Sequence, residues 1–280
     1  MCIRDSGFVD DINGYDFVNN DNDPEDDHGH GTHTAGTFGA VTDNSIGVAG
    51  LNWNLQVMAN KIGNVNGPLV SAIITGQDYV TTLKTQHGIN IVASNHSYGT
   101  GFSQAQSDSI QALTDAGILF VAAAGNNGTD NDVTAKYPAG YDNDRIIAVA
   151  ATDHTDDIAG FSNFGLTSVD LGAPGVSILS TVPTGNVPMG DSSGYNFSQG
   201  TSMAAPYVAG AVGFLAAFNP NATPDEIRQA ILDGADPVTS LDGLTVTGAR
   251  LNLFESAKLL SLIHISEPTR RTPISYAVFC

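Results

Sequence analysis

Two short stretches of this 280-residue chain carry side chains that can make and break covalent bonds. One is His28-Gly29-His30-Gly31-Thr32-His33-Thr34-Ala35-Gly36. The other is Gly200-Thr201-Ser202-Met203-Ala204-Ala205-Pro206. A serine hydroxyl is a poor nucleophile until an imidazole takes its proton. Ser202, at the head of an apolar run, and a histidine elsewhere supply that nucleophile–base pair. Gly200 lets the backbone turn sharply before Ser202, and Gly29 and Gly31 leave room around His30.

Two rival chemistries fail on spacing and order. A zinc hydrolase sets two histidines around a glutamate at helical spacing and adds a third ligand. His30-x-x-His33 has only Gly31 and Thr32 between, so His33 reads as a structural, hydrogen-bonded histidine. An α/β-hydrolase esterase needs its histidine after the serine, and the only later one is His264. His28, His87, His96 and His154 stand isolated and read as surface or packed residues. A further chemistry is suggested just before His30. Asp21, Asp23 and Glu25 alternate, with Asp16 five residues earlier, and hard calcium prefers several oxygen ligands on a flexible loop. The acidic loop therefore reads as a calcium-site candidate, with a plain solvated loop as its alternative.

The elements that position these groups follow from periodicity. Residues 70–84 carry Val70, Ile73, Ile74, Tyr79, Val80 and Leu83 at helical spacing. Residues 104–116 read as a helix ended by Gly117. Runs at 55–62, 89–93, 118–124 and 146–151 are short and apolar, as in strands covered on both faces. Residues 202–218 suit a buried helix, and Thr223-Pro224-Asp225-Glu226 is a capping sequence for the next one. Strands alternating with helices predict an α/β domain: three layers, with a mainly parallel sheet flanked by helices, and residues 89–93, 118–124 and 146–151 as neighbouring strands.

Composition narrows the class. The chain carries 10 Lys+Arg against 29 Asp+Glu, a formal charge of −19. A nucleic-acid binder needs a basic surface, so that class is excluded. No run approaches about 18 uninterrupted apolar residues, so no membrane span is expected. Both cysteines sit at the ends, Cys2 and Cys280. Residues 1–6 are what one frame of a transposase-type sequencing adapter encodes. Residues 260–270 resemble the reverse complement of the paired adapter, and 274–280 the flow-cell sequence beyond it. The expected partition is thus adapter-derived residues 1–6 and 260–280 around one cysteine-free catalytic domain, 7–259.

On both chemical motifs the chain resembles the subtilisin-like serine proteases, the subtilases. The match covers H-G-T-H-x-A-G at His30–Gly36 and G-T-S-M-A-x-P at Gly200–Pro206. It extends to Ala122-Ala123-Ala124-Gly125-Asn126, Asn44-Ser45-Ile46-Gly47-Val48-Ala49-Gly50 and Leu171-Gly172-Ala173-Pro174-Gly175. The resemblance runs from about residue 13 to 257. It implies a serine endopeptidase working through an acyl-enzyme, with Ser202 as nucleophile and His30 as general base. Asn126 would be the side-chain donor to the oxyanion, beside the Ser202 N–H. Ser97-Tyr98-Gly99 and Ala123-Ala124-Gly125 correspond to segments that pair with an extended peptide and line its pocket. It also implies polypeptide substrates, a propeptide in the precursor and secretion to the extracellular space. Asn44 matches a ligand of a family calcium loop. The family's order is Asp, His, Ser, with the Asp on an early strand in a V-I-D-[ST]-G setting. Here that strand is not seen, and Asp5-Ser6-Gly7 imitates it without a preceding hydrophobic run. The triad Asp is expected to be missing from the chain. The alternative function is then a catalytically inactive subtilase-fold scaffold.

Overall fold

Ile146–Thr152 reads I-I-A-V-A-A-T, and all seven positions are buried. Such a strand must be covered on both faces, and in the computed structural model it lies mid-sheet. The structure describes residues 13–263 and the backbone of 276–279. In chain order the strands are β1 (Gly14–Asp16), β2 (Gln56–Lys61), β3 (Gly63–Asn64), β4 (Gly67–Pro68), β5 (Ile91–His96), β6 (Leu119–Ala123) and β7 (Ile146–Thr152). They continue with β8 (Leu171–Pro174), β9 (Ile178–Thr181), β10 (Tyr195–Ser198), β11 (Asp236–Pro237), β12 (Ala249–Arg250) and β13 (Tyr276–Phe279). The helices are α1 (His30–Gly39), α2 (Val70–His87), α3 (Gln104–Asp115), α4 (Thr201–Phe218), α5 (Pro224–Asp233) and α6 (Leu253–Ile263).

Nine strands form one sheet in the order β1-β2-β13-β5-β6-β7-β8-β12-β11. Every pairing is parallel except that of β11 with β12. The strands expected at 89–93, 118–124 and 146–151 are indeed neighbours, as β5, β6 and β7, although β5 begins later and ends at His96.

The period-two alternation divides the core into two layers. Leu119, Val121, Ile147 and Val149 pack with Val208, Val212 and Leu215 of α4, and with Phe38 of α1. Their neighbours Phe120, Ala122, Ile146 and Ala148 pack with Tyr79, Val80 and Leu83 of α2, and with Ile110 and Leu113 of α3. These are the three expected layers. By length and composition α4 could cross a membrane, but most of it is buried core, packed on the sheet. At the head of α5, Thr223 and Glu226 form the reciprocal cap that their spacing predicts.

The C-terminal region continues the fold past residue 259. Helix α6 runs through Ile263, past the boundary drawn at 259, and Leu260 is buried in the main core. Tyr276–Phe279 lies between β2 and β5, parallel to both. The physical reason is pairing: interior neighbours β2 and β5 present main-chain N–H and C=O groups that need a partner. This segment supplies the strand between them.

Candidate active site

Helix α1 starts at His30, and one carboxylate builds that start. Asp26 Oδ1 accepts from the N–H of His28 (2.9 Å) and Gly29 (2.7 Å). Its Oδ2 accepts from the Thr32 N–H and hydroxyl, both at 2.7 Å. A helix leaves its first N–H groups without partners, and Asp26 satisfies them where negative charge is favoured. Burial alone would raise the Asp26 pKa, but donors from Gly29, Thr32 and His28 hold it below the ordinary 3.8. Gly29 has φ +98°, and a Cβ there would stand 2.9 Å from Met189 Cβ, so the turn into His30 requires glycine.

His30 keeps part of its surface on a cavity, yet its ring is closely packed around. That burial lowers its pKa to about 4, helped by His28 and opposed by Asp26. Among the described residues nothing hydrogen-bonds its ring, and Asp5 lies outside them. His33 is fully buried, with Nε2 3.0 Å from the Ile178 carbonyl and 3.2 Å from that of Asn196. Two carbonyl acceptors fix the proton on Nε2. His33 thus ties α1 to the β9–β10 hairpin, the structural part its sequence context suggests.

The serine end is built the same way. Gly200, at φ +147°, donates its N–H to Gly175 O (2.8 Å), which anchors the turn on the Leu171–Gly175 segment. Ser202 follows in the first turn of α4. Asn126 Oδ1 accepts from the N–H (2.8 Å) and hydroxyl (2.9 Å) of Thr201. With its oxygen committed, the Asn126 amide must present Nδ2 on the opposite side. That nitrogen would be 3.3 Å from a Cβ on Gly200, so glycine also keeps this space open. Ser97 and Ser202 are bonded reciprocally: Ser97 Oγ donates to Ser202 O (2.8 Å), and Ser202 Oγ donates to Ser97 O (3.2 Å).

Helices α1 and α4 pack side by side. A Cβ on Gly210 would lie 2.9 Å from Phe38 Cβ, so the backbones meet closely there. Phe38 is eight residues beyond His30, and Gly210 eight beyond Ser202. Ser97 lines the cavity with His30 and bonds Ser202, so the two N-termini share one end and the helices are parallel. The cavity, about 500 Å³, is walled by His30, Thr32, Ala59, Ile62, Ser97 and Tyr98 among others. It lies beyond the carboxyl ends of β2 and β5, where open α/β sheets bind ligands.

The peptide-binding expectations divide. Gly99 is exposed, and among the described residues its N–H and C=O are unbonded, so this edge is open for pairing. Ala124 and Gly125 are different. Ala124 N bonds Val149 O and its carbonyl takes the Asn131 amide, while Gly125 N bonds Thr201 Oγ1 and its carbonyl takes Asn163 N. The main-chain groups of Ala124 and Gly125 are thus engaged within the protein, and Ala123 beside them is buried.

The acidic loop is not gathered round a point. Asp16 is buried, its carboxylate taken by the N–H groups of Val18 and Asn19, the Asn19 amide, and Lys61 Nζ at 3.2 Å. Asp21 Oδ1 caps the Asp23 N–H, Glu25 is exposed, and Asn44 Oδ1 turns back to the Ile46 N–H. Among the described residues no three His, Cys, Asp or Glu side chains form a metal-binding group. As arranged, these residues do not fit a calcium ion. Two functional residues escaped the sequence reading, Asp26 and Thr201. The signal for Asp26 was its place four residues before His30, masked by seven other acidic residues in 10–27.

A family model described as the subtilase family matches residues 2–254. The thermophilic serine proteinase of Bacillus sp. (strain AK1) is 40% identical over 233 residues, 81% of this chain and 52% of that protein. The chain thus spans about half of that relative's length. Thermitase of Thermoactinomyces vulgaris is 36% identical over 248 residues, covering 88% and 81% of the two chains. Among solved structures, a protease from Pseudoalteromonas arctica PAMC 21717 superposes with TM-score 0.74 at 27% identity, covering 88% of this chain and 83% of its own.

Proposed function

The chain belongs to the subtilase family, and from that premise we propose that it is a serine endopeptidase acting on polypeptides through an acyl-enzyme. The observation that carries this is the fixed Asn126 amide beside the Ser202 helix start. Ser202 Oγ attacks the substrate carbonyl carbon while His30 takes the hydroxyl proton. The oxygen of the tetrahedral intermediate gains a full negative charge. Asn126 Nδ2 and the Ser202 N–H, at the positive end of α4, stabilise it. Collapse breaks the C–N bond, and His30 returns the proton to the leaving amine. Water then repeats the cycle on the acyl-enzyme, releasing the acid and free Ser202. Asn126 needs no reorganisation, because Thr201 has already set it.

The Gly99 edge supports main-chain recognition of an extended peptide, which makes specificity broad. Extracellular action on polypeptides belongs to the same proposal, as does a propeptide in the precursor. So does a calcium ion on the acidic loop, which would require Asp21, Asp23 and Glu25 to turn toward one point, since Asp16 is engaged with Lys61.

A second reading, an inactive scaffold, is favoured by the absence of any hydrogen-bond partner for the His30 ring among the described residues and by the Ser202 hydroxyl pointing to Ser97 O. A serine-directed fluorophosphonate separates the two. Stoichiometric labelling at Ser202, abolished in His30→Ala, with turnover of an unstructured peptide, is expected of the enzyme. No labelling of the folded chain would establish the scaffold.

A further inference from the structure

His96, at the carboxyl end of β5, is fully buried and takes no part in the chemistry above. Its ring stacks on Phe120, with centroids 3.6 Å apart and planes 9° off parallel. Nε2 lies 2.7 Å from Ser94 Oγ, and Nδ1 lies 2.9 Å from the Tyr98 hydroxyl. Ser94, His96 and Tyr98 alternate along the chain, so one face of the extended segment carries all three. Burial keeps His96 neutral by pushing its pKa well below the ordinary value. A neutral imidazole donates from one nitrogen and accepts at the other, while each hydroxyl can do either. Both bonds are therefore satisfied in either tautomer. The phenol of Tyr98 is held at its oxygen by a ring that is itself stacked on Phe120 and bonded to Ser94.

Tyr98 is also a wall of the cavity beside His30, and packs with Ile62, Ala72 and Ile73. Val57, Ala59, Ile62 and Pro68 add apolar surface, and the charged groups at its border are already engaged, Asp27 with Lys61 at 3.2 Å and Asp26 with the head of α1. Ser202 is not among its walls. The side chain it receives is thus not that of the residue whose carbonyl is attacked. We propose that His96 is a positioning residue: it pins the Tyr98 phenol as a cavity wall and so gives this chain a preference for a bulky apolar substrate side chain there. This rests on the peptidase reading and adds to it the residue that sets the preference.

Binding to a Ser202→Ala background tests this without turnover. Peptides identical except for Phe, Ala or Glu at one position are titrated, and the position is scanned. At one position Phe should bind about tenfold or more tighter than Ala, the scale of filling an apolar pocket, and Glu should bind weakest. His96→Leu should cut the Phe/Ala ratio by about two- to tenfold, the worth of one hydrogen bond. His96→Asn, whose side chain can still meet the Tyr98 hydroxyl, should restore it. Tyr98→Phe, which keeps the ring and loses the bond, should behave as His96→Leu and serves if that variant does not fold. An unchanged ratio in folded His96→Leu or Tyr98→Phe overturns the inference, as does an equal loss in His96→Asn, or no Phe preference at any position. Fluorophosphonate labelling of the Ser202 chain is read alongside. Labelling with no ratio change rejects the His96 role alone, whereas no labelling rejects the peptidase reading.

Discussion

Replacing Asp26 with Ala removes the acceptor for four donors at the head of α1: three main-chain N–H groups and the Thr32 hydroxyl, at 2.7–2.9 Å. Loss of a helix cap costs up to about 2 kcal/mol, and buried donors left unpaired add about 1–3 kcal/mol. Asp26 is half-buried, so water recovers part of this. We expect a net cost of about 2–4 kcal/mol, a fall in melting temperature of about 4–8 °C at about 2 °C per kcal/mol for a domain of this size. Asp26→Asn should cost about half as much, because one oxygen remains for His28 and Gly29 while the amide nitrogen faces the Thr32 N–H. The pH dependence has a definite sign. The folded pKa is lowered from 3.8, so the stabilisation is complete above that value and vanishes as pH falls through the lower folded one. The gap between parent and Asp26→Ala, measured by urea unfolding, should be constant near neutrality and close in acid. Fluorophosphonate labelling of Ser202 should slow in the variant, since the same turn aims His30. A melting temperature within about 1 °C of the parent would refute the assignment, and so would a stability gap undiminished at low pH.

Asn126→Ala should lower turnover by roughly 10²–10³ with little change in KM, a scale taken over from subtilisin itself rather than worked out from this chain. Burial lowers the His30 pKa to about 4, so the acid limb of kcat/KM should fall well below pH 6.5, with activity present above the midpoint and lost as His30 gains a proton. A midpoint at or above 6.5 would instead reveal a carboxylate beside the ring. Calcium should raise the melting temperature by mass action if the acidic loop closes on it; a response that is absent, or unchanged in Asp21→Ala, returns Asp21, Asp23 and Glu25 to a solvated loop.

What could be read from sequence follows the range of the interactions involved. Strands β6 and β7 were legible because burial on both faces leaves a continuous apolar run, and α5 because its cap is complete within four residues. Ser202 and His30 were legible through their glycine-framed settings. The filling of the sheet by Tyr276–Phe279 was not, since four apolar residues can pair with any parallel edge and nothing local selects β2 and β5. Asp26 was hidden because a carboxylate that caps a helix looks, in sequence, like its solvated neighbours. His96 read as an isolated surface or packed residue, and its surroundings emerge only when Tyr98 and Phe120 are brought to it. Asp16 shows the converse: spacing suggested a cation ligand, but its partner is Lys61, 45 positions away.

The contact between Phe38 and Gly210 acts as a gauge for the reaction. Proton transfer works over about 3 Å, and in the proposed mechanism that reach would depend on a contact roughly 12 Å down two parallel helices, eight residues at 1.5 Å each. One added methyl at position 210 would press on Phe38 Cβ at 2.9 Å, and two stiff helices would carry the displacement back to the base and the nucleophile. A protein altered there would look well folded and bind peptide normally, yet turn over slowly. Its defect would be misread as chemical when its origin is a matter of clearance between two backbones.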